Sequence, residues 1–190
     1  MLKFTVIVPC YNGEKYLNEC LTSIANQNYD NFEVIFVDNE SSDNSVSIAE
    51  TFKDKISDFK MSSAKNIFAH SWDEPVSEAL KIMIGDYFTI VAVDDALSPD
   101  YLSNLSTVLK EAEGEIECIQ SPIKRVFPNG QADLLSYPPL SLKQWKTKLL
   151  EHCAVNTPSM VYRRSVYEDK HMTYNCEKYL GAADYDLYCQ

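Results

Sequence analysis

Positive charge is in short supply: 17 lysines and arginines stand against 28 aspartates and glutamates, a formal net charge of -11 over 190 residues. Such a chain repels a phosphate backbone, which excludes non-specific nucleic-acid binding, and it disfavours an anionic substrate unless a cation is recruited locally. Long apolar runs are missing as well. Nothing approaches the roughly 18 consecutive apolar residues of a membrane span. The stretch from Phe4 to Val8 is too short for a secretory h-region and is closed by Pro9. The segment is therefore expected to be soluble, with membrane association only through a missing part of a longer chain. None of the six cysteines forms a C-x-x-C pair or has zinc-ligand spacing, so free thiols in a reducing, cytoplasmic setting are expected. His70, His152 and His171 lie far apart, and neither a metal centre nor a catalytic triad follows from them. With no repeat, low-complexity tract or linker to divide it, a chain of this length and a 45% hydrophobic content reads as one packed domain.

What is present alternates. Phe4 to Val8 reads as a buried strand stopped by Pro9, and Tyr16, Leu17, Cys20, Leu21 and Ile24 then follow helical spacing behind Asn12, an expected cap. Phe32 to Val37 repeats the strand signature and ends in the polar stretch Asp38 to Asp43, with a helix through Val46, Ala49 and Phe52 after it. Asp73-Glu74-Pro75 opens another helix, with Asp73 as cap and Gly85 as its close. Tyr87 to Val93 is the longest strand signal and runs directly into Asp94-Asp95. Ser98-Pro99-Asp100 caps a helix with a stripe of Leu102, Leu105, Leu109 and Ala112, and Glu115 to Gln120 is a further strand. Pro128-Asn129-Gly130 marks a hairpin, a helix follows Ser141, and this second half is expected to extend the same sheet. The pattern is that of an α/β fold: a mostly parallel sheet flanked by helices on both faces, with a small β-hairpin extension. In such sheets ligands collect at the carboxyl ends of the strands, where both acidic clusters fall.

Asp94 and Asp95 are adjacent like charges at the end of an apolar strand. A solvated turn accounts for them in one reading. In the other, they serve a hard divalent cation, which takes oxygen ligands from one or two carboxylates and substrate phosphates. Asp38-Asn39 can likewise be an Asx-type turn, or can present acceptor oxygens and an amide to a nucleobase or ribose. Trp72, in a polar loop, is better placed to stack on a sugar or base than Trp145, which lies on an apolar helical stripe. Arg163-Arg164 reads as a solvated helix start.

The stretch Phe4-Thr5-Val6-Ile7-Val8-Pro9-Cys10-Tyr11-Asn12-Gly13, the run Phe32 to Ser45, Gly85-Asp86-Tyr87, Asp94-Asp95 and Ser98-Pro99-Asp100-Tyr101-Leu102 together resemble the family 2 glycosyltransferases of GT-A fold. Weaker likeness continues through Met160 to Arg164 and Gly181 to Leu187. The resemblance implies a transfer from a nucleotide-diphosphate-sugar, UDP-sugar favoured, to a saccharide or lipid-linked acceptor, with Mn2+ or Mg2+ as cofactor and an inverting outcome. It implies that Pro9, Tyr11, Asp38, Asn39 and Asp94 bind the nucleotide-sugar, that Asp95 is the metal ligand, and that Asp184 is the general base. Asp186 is a rival base, but two residues further along a helix it faces away.

The chain departs from that pattern in three places. Asn39 stands where the family often has a second Asp, Val76 and Ser77 stand where it often has a basic residue and an Asn facing the donor, and Ala183-Asp184 replaces an acidic pair. The chain also stops six residues after Asp184, which is the expectation for a truncated catalytic module. A nucleotide-sugar-binding module without turnover is the alternative. A doubly wound phosphoacceptor domain would want an acidic pair near its first strand, and none is there.

Overall fold

The computed structural model describes residues 1–67, 72–112, 116–136, 144, 147 and 159–170. Strand β1 (Phe4–Cys10) is buried along its whole length, as a strand between two helical layers must be. Its side chains alternate between two cores. Phe4, Val6, Val8 and Cys10 pack with Leu17, Leu21 and Ile24 of helix α1 (Glu14–Ala25) and with Leu102 and Leu105 of a later helix. Ile7 turns to the other face, against Val76, Ala79 and Leu80. Burial of each such aliphatic side chain stabilises the fold by roughly 1.5–3 kcal/mol before entropy is counted.

Strand β2 (Phe32–Asp38) lies parallel to β1, and β3 (Phe59–Ser63) parallel to β2, with helix α2 (Ser45–Glu50) between them. Helix α3 (Asp73–Ile82) leads to β4 (Tyr87–Ile90), which pairs with the opposite edge of β1 in parallel register, Phe4 with Tyr87 and Ile7 with Ile90. Helix α4 (Tyr101–Glu111), strand β5 (Cys118–Gln120), the hairpin β6 (Ile123–Val126) and β7 (Ala132–Leu135), strand β8 (Met160–Arg163) and helix α5 (Arg164–Lys170) complete the described elements. The main sheet runs β3-β2-β1-β4-β8-β5, with β8 antiparallel to both of its neighbours. The order reverses between β1 and β4, and it is there that the carboxyl ends of parallel strands open a crevice.

Several local expectations are corrected. Asn12 does not cap α1: its backbone is left-handed, φ 50°, and its Oδ1 accepts from the Ser42 backbone N–H at 2.8 Å. Asp73 lies inside α3, whose first turn starts after Trp72, and α3 ends at Ile82, so Gly85 is not its close. Strand pairing in β4 stops at Ile90, and the buried Val91 and Ala92 carry the chain on to Asp94. The expected hairpin forms around Gly130, φ 80°, as a separate two-stranded sheet, while β5 and β8 extend the main one. Residues of the expected helix after Ser141 fall largely outside the described set. Among the described residues no helix is long and apolar enough to cross a membrane.

The amino end of the sheet is locked by one carboxylate. Glu33 is fully buried; its Oε1 accepts from the Thr5 hydroxyl at 2.6 Å and from the Ile84 N–H at 2.6 Å, and its Oε2 meets the Lys60 ammonium at 2.5 Å. The Gly85 N–H donates to Thr5 Oγ1 at 3.0 Å. Gly85 is needed because a Cβ there would lie 2.5 Å from Thr5 Oγ1 and 2.6 Å from the Thr5 backbone N. Gly85→Ala must push β4 off β1, and it is expected to destabilise the fold by about 1–3 kcal/mol, read as a lower urea midpoint at unchanged slope. A midpoint equal to that of the parent would show that this approach is not tight.

Candidate functional site

The crevice between β1 and β4 is built by three strand ends. Pro9, Cys10 and Tyr11 come from β1 and the residue after it, Asn39 follows β2, and Ala92, Val93 and Asp94 follow β4. Trp72 and Pro75 at the start of α3 complete a cleft of about 180 Å³. A second, larger cavity of about 950 Å³ begins at Asp94 and Asp95 and continues past Glu19 and Tyr101 to Lys124 and Phe127 at the hairpin. Asp94 lines both. A side chain on that divide can touch a ligand in either chamber.

The loops that shape the cleft are tied to each other. The Asn12 N–H donates to Ser41 Oγ at 3.0 Å, the Gly13 N–H to Ser45 Oγ at 2.8 Å and the Glu14 N–H to Asp43 Oδ2 at 3.0 Å. In return, the Asn44 N–H donates to Glu14 Oε2 at 2.9 Å. The first N–H groups of a helix are orphan donors that readily hold an anion. In α1 the Asp43 carboxylate and the Ser45 hydroxyl already occupy that place.

Asp38 and Asn39 separate at the end of β2. The Asp38 carboxylate accepts from the Ser41 N–H at 3.3 and 3.2 Å, an Asx-type turn, and it is not among the residues lining the cleft. Asn39 is buried, its N–H donates to the Cys10 carbonyl at 2.8 Å, and it lines the cleft. Pro9, Tyr11 and Asp94 also line it. Asp184 lies outside the described residues. Sequence reasoning missed Cys10, Pro75 and Val93 as cleft walls and Glu19 as a cavity wall; no motif signals them, because they line the space through topology alone.

Asp95 turns back after β4, its N–H donating to the Ala92 carbonyl at 3.0 Å. Burial pushes its carboxyl above the usual carboxylate range, and the adjacent Asp94 charge adds to the shift. The Cys20 thiol reports the same negative field: burial, then Asp95, Cys10 and Asp94, push it up to about 12, so it is a neutral donor, 3.5 Å from the Ala92 carbonyl. Burial likewise raises the Cys10 thiol. Neither thiol is a nucleophile at neutral pH. Among the described residues no group of three His, Cys, Asp or Glu side chains converges as a ready-made metal cage. Two carboxylates, one of them held against its own ionisation, are a donor set that fits a hard cation sharing its remaining positions with a ligand.

Comparison with known proteins bears on this geometry. Residues 5–169 match the sequence model of the family described as "Glycosyl transferase family 2". The poly(ribitol-phosphate) beta-N-acetylglucosaminyltransferase TarS of Staphylococcus aureus is 33% identical over 122 residues, covering 63% of this chain and 21% of that protein. The chain thus spans about a fifth of that relative's length. The crystal structure of S. aureus TarS 1-349 superposes with a TM-score of 0.70 at 24% identity, over 98% of this chain and 54% of that one; the same fragment is also known in complex with UDP-GlcNAc. The mannosyltransferase PcManGT of Pyrobaculum calidifontis, in complex with GDP-Man and Mn2+, superposes at 0.68 with 21% identity, over 97% of this chain and 50% of that one. These structures show a shared fold.

The raised Asp95 carboxyl carries a signed consequence. Between the ordinary carboxylate value and the raised one, the folded chain holds a proton that the unfolded chain has released, so stability falls as pH rises through that window. The penalty therefore grows as pH rises from the ordinary carboxylate range toward neutrality. Asp95→Asn is expected to raise the melting midpoint at pH 7, with the gain shrinking as pH falls through that window toward about 4 and absent below it. Scanning calorimetry at both pH values reads it, and a variant less stable than the parent at pH 7 counts against the strained carboxylate.

Proposed function

Because the chain belongs to glycosyl transferase family 2, we propose that it forms the nucleotide-sugar end of a glycosyltransferase, moving a sugar from a nucleoside-diphosphate donor to an acceptor hydroxyl. The observation that carries this reading is Asp94 on the divide between the two chambers, with Asp95 beside it. In this reading the nucleotide occupies the smaller cleft against Pro9, Tyr11 and Asn39. The sugar and acceptor occupy the larger one. The sugar-phosphate bond then lies across the acidic pair, where charge develops as the bond breaks.

Asp95, with Asp94 next to it, would hold Mn2+ or Mg2+, whose charge would offset the burial cost of the Asp95 carboxylate and its repulsion by Asp94. Once bound, the ion supplies Lewis acidity to the departing diphosphate, stronger in the transition state than in the ground state. Asp94 orients the donor at the sugar side. Asp184 takes the proton of the acceptor hydroxyl as it attacks the anomeric carbon; a carboxylate is ionised for that task at neutral pH without tuning. Attack from the face opposite the leaving group inverts the anomeric centre. A UDP-sugar is the favoured donor, supported by the UDP-GlcNAc complex of TarS, and a divalent ion is supported by the Mn2+ complex of PcManGT. The acceptor is a saccharide or a lipid-linked saccharide, and the active site faces the cytoplasm.

A second reading, a donor-binding module without turnover, is favoured by one feature: Val76 is fully buried where a basic side chain would face the donor. Release of nucleoside diphosphate from the donor separates the two. Asp95→Ala is expected to abolish Mn2+-dependent UDP binding in titration calorimetry while the circular dichroism spectrum is unchanged; undiminished affinity would remove the ion from this site. Asp184→Asn is expected to keep donor binding and to lower transfer by about 10²- to 10⁴-fold. Full activity in that variant would move the base elsewhere.

A further inference from the structure

The smaller cleft has little means of attracting a diphosphate by charge. No lysine or arginine is among its described lining residues. The N–H groups that open α1 already bond Asp43 and Ser45. At the start of α3, Val76 is buried in the core rather than exposed to the cleft, and the residues after Trp72 are Asp73 and Glu74. The Glu74 carboxylate accepts from the Ile67 N–H at 3.1 Å. Three sources that could hold phosphate oxygens, a basic wall and two helix starts, are thus closed, taken up or acidic. What the cleft does offer is ring and apolar surface from Tyr11, Trp72, Pro9, Pro75 and Val93 around the buried Asn39.

Trp72 is the largest of these surfaces and is partly buried. It packs against the core cluster formed by Val76, Ala79, Ile35 and Val37, and it also lines the cleft. It stands immediately before α3, at the carboxyl side of the sheet near Asn39. A ring already held by its neighbours loses little freedom when a ligand stacks on it, and base–aromatic stacking tolerates any base because every base has a π-face. We propose that Trp72 completes, beside Tyr11, the platform on which the nucleobase of the donor stacks, so that the smaller cleft grips the base rather than the diphosphate. The inference rests on the cleft being the donor site. It adds a donor-affinity residue outside the motifs that carry the family resemblance.

Titration calorimetry with UDP and Mn2+, and separately with inorganic pyrophosphate and Mn2+, tests it on the parent chain, Trp72→Leu and Trp72→Phe. Trp72→Leu is expected to weaken UDP about 10- to 100-fold and to leave pyrophosphate unchanged, while Trp72→Phe keeps UDP within about fivefold of the parent because a ring remains. Equal UDP affinity in Trp72→Leu, or parallel loss of UDP and pyrophosphate, overturns the proposal. Fluorescence gives a second readout that needs only the conservative variant. The chain has two tryptophans, and UDP, but not pyrophosphate, is expected to quench emission in the parent and not in Trp72→Phe. Quenching that persists in Trp72→Phe assigns the reporter to Trp145 and overturns the proposal. A parent chain that binds neither UDP, GDP nor CDP sinks the donor-site reading itself, a result distinct from parent binding that is indifferent to Trp72.

Discussion

Two carboxylates held side by side, with burial opposing the ionisation of one of them, are the constraint from which the rest of the site takes its meaning. A folded chain has every reason to avoid this arrangement, because burial and a neighbouring like charge both oppose the ionisation of a carboxylate. Here the penalty is visible in Asp95 and felt as far as the Cys20 thiol. Among the described residues no ion pair relieves it: the salt bridges engage Asp58, Glu50, Glu33, Glu78, Asp133 and Glu168. A cation from solution is the simplest relief, and the chain's surplus of acid makes that recruitment easier.

The contrast with Glu33 sharpens the point. Glu33 is fully buried at the amino end of the sheet, whereas Asp95 is half-buried in the turn beyond its carboxyl end. Glu33 has a hydroxyl, backbone N–H groups and an ammonium spread over its two oxygens, and it joins β1, β2, β3 and the approach to β4. Its charge is spent on architecture. At the carboxyl end, the loop acids Asp43 and Glu14 are also satisfied, each by the backbone of the other's loop. That exchange fixes the wall of the crevice and removes the α1 start as an anion site. Gly13 allows the wall to come close, since a Cβ there would meet Val93 Cγ2 at 3.0 Å and Cys10 Sγ at 3.1 Å.

Much of this was legible in the sequence where burial and periodicity coincide. β1, β2, α1 and the two-sided burial follow from apolar runs alternating with a 3.6-residue stripe, and the hairpin follows from its Asn-Gly turn. The less visible features depend on partners distant in sequence. β3 was not anticipated, because Phe59-Lys60-Met61-Ser62-Ser63 is a half-buried edge whose lysine finds Glu33 27 residues away. Asn12 looked like a cap by type, but its side chain bonds Ser42, 30 residues on. The strand before the acidic pair was read too long for a different reason: hydrophobicity reports burial, and Val91 and Ala92 are buried without being part of β4. The acidic pair itself was found by type and position. The division of labour between Asp38, which closes a turn, and Asn39, which lines the cleft, is set by how the backbone turns after β2 and is not carried by residue type.

That division bears on how a site with thinned charge can still select its ligand. Selection by charge acts at long range and favours any polyphosphate, whereas selection by shape and stacking acts only on contact and favours one kind of ligand. In the smaller cleft, aromatic and apolar walls surround a buried amide, and Asp94 stands at its edge. The contact surfaces thus lie on one side and the carboxylates on the other. A ligand that satisfies both must carry a flat, partly apolar group at one end and an anionic group able to share a cation at the other. A nucleotide is one ligand that meets both requirements, its base matching the ring and apolar walls and its phosphates the carboxylate side.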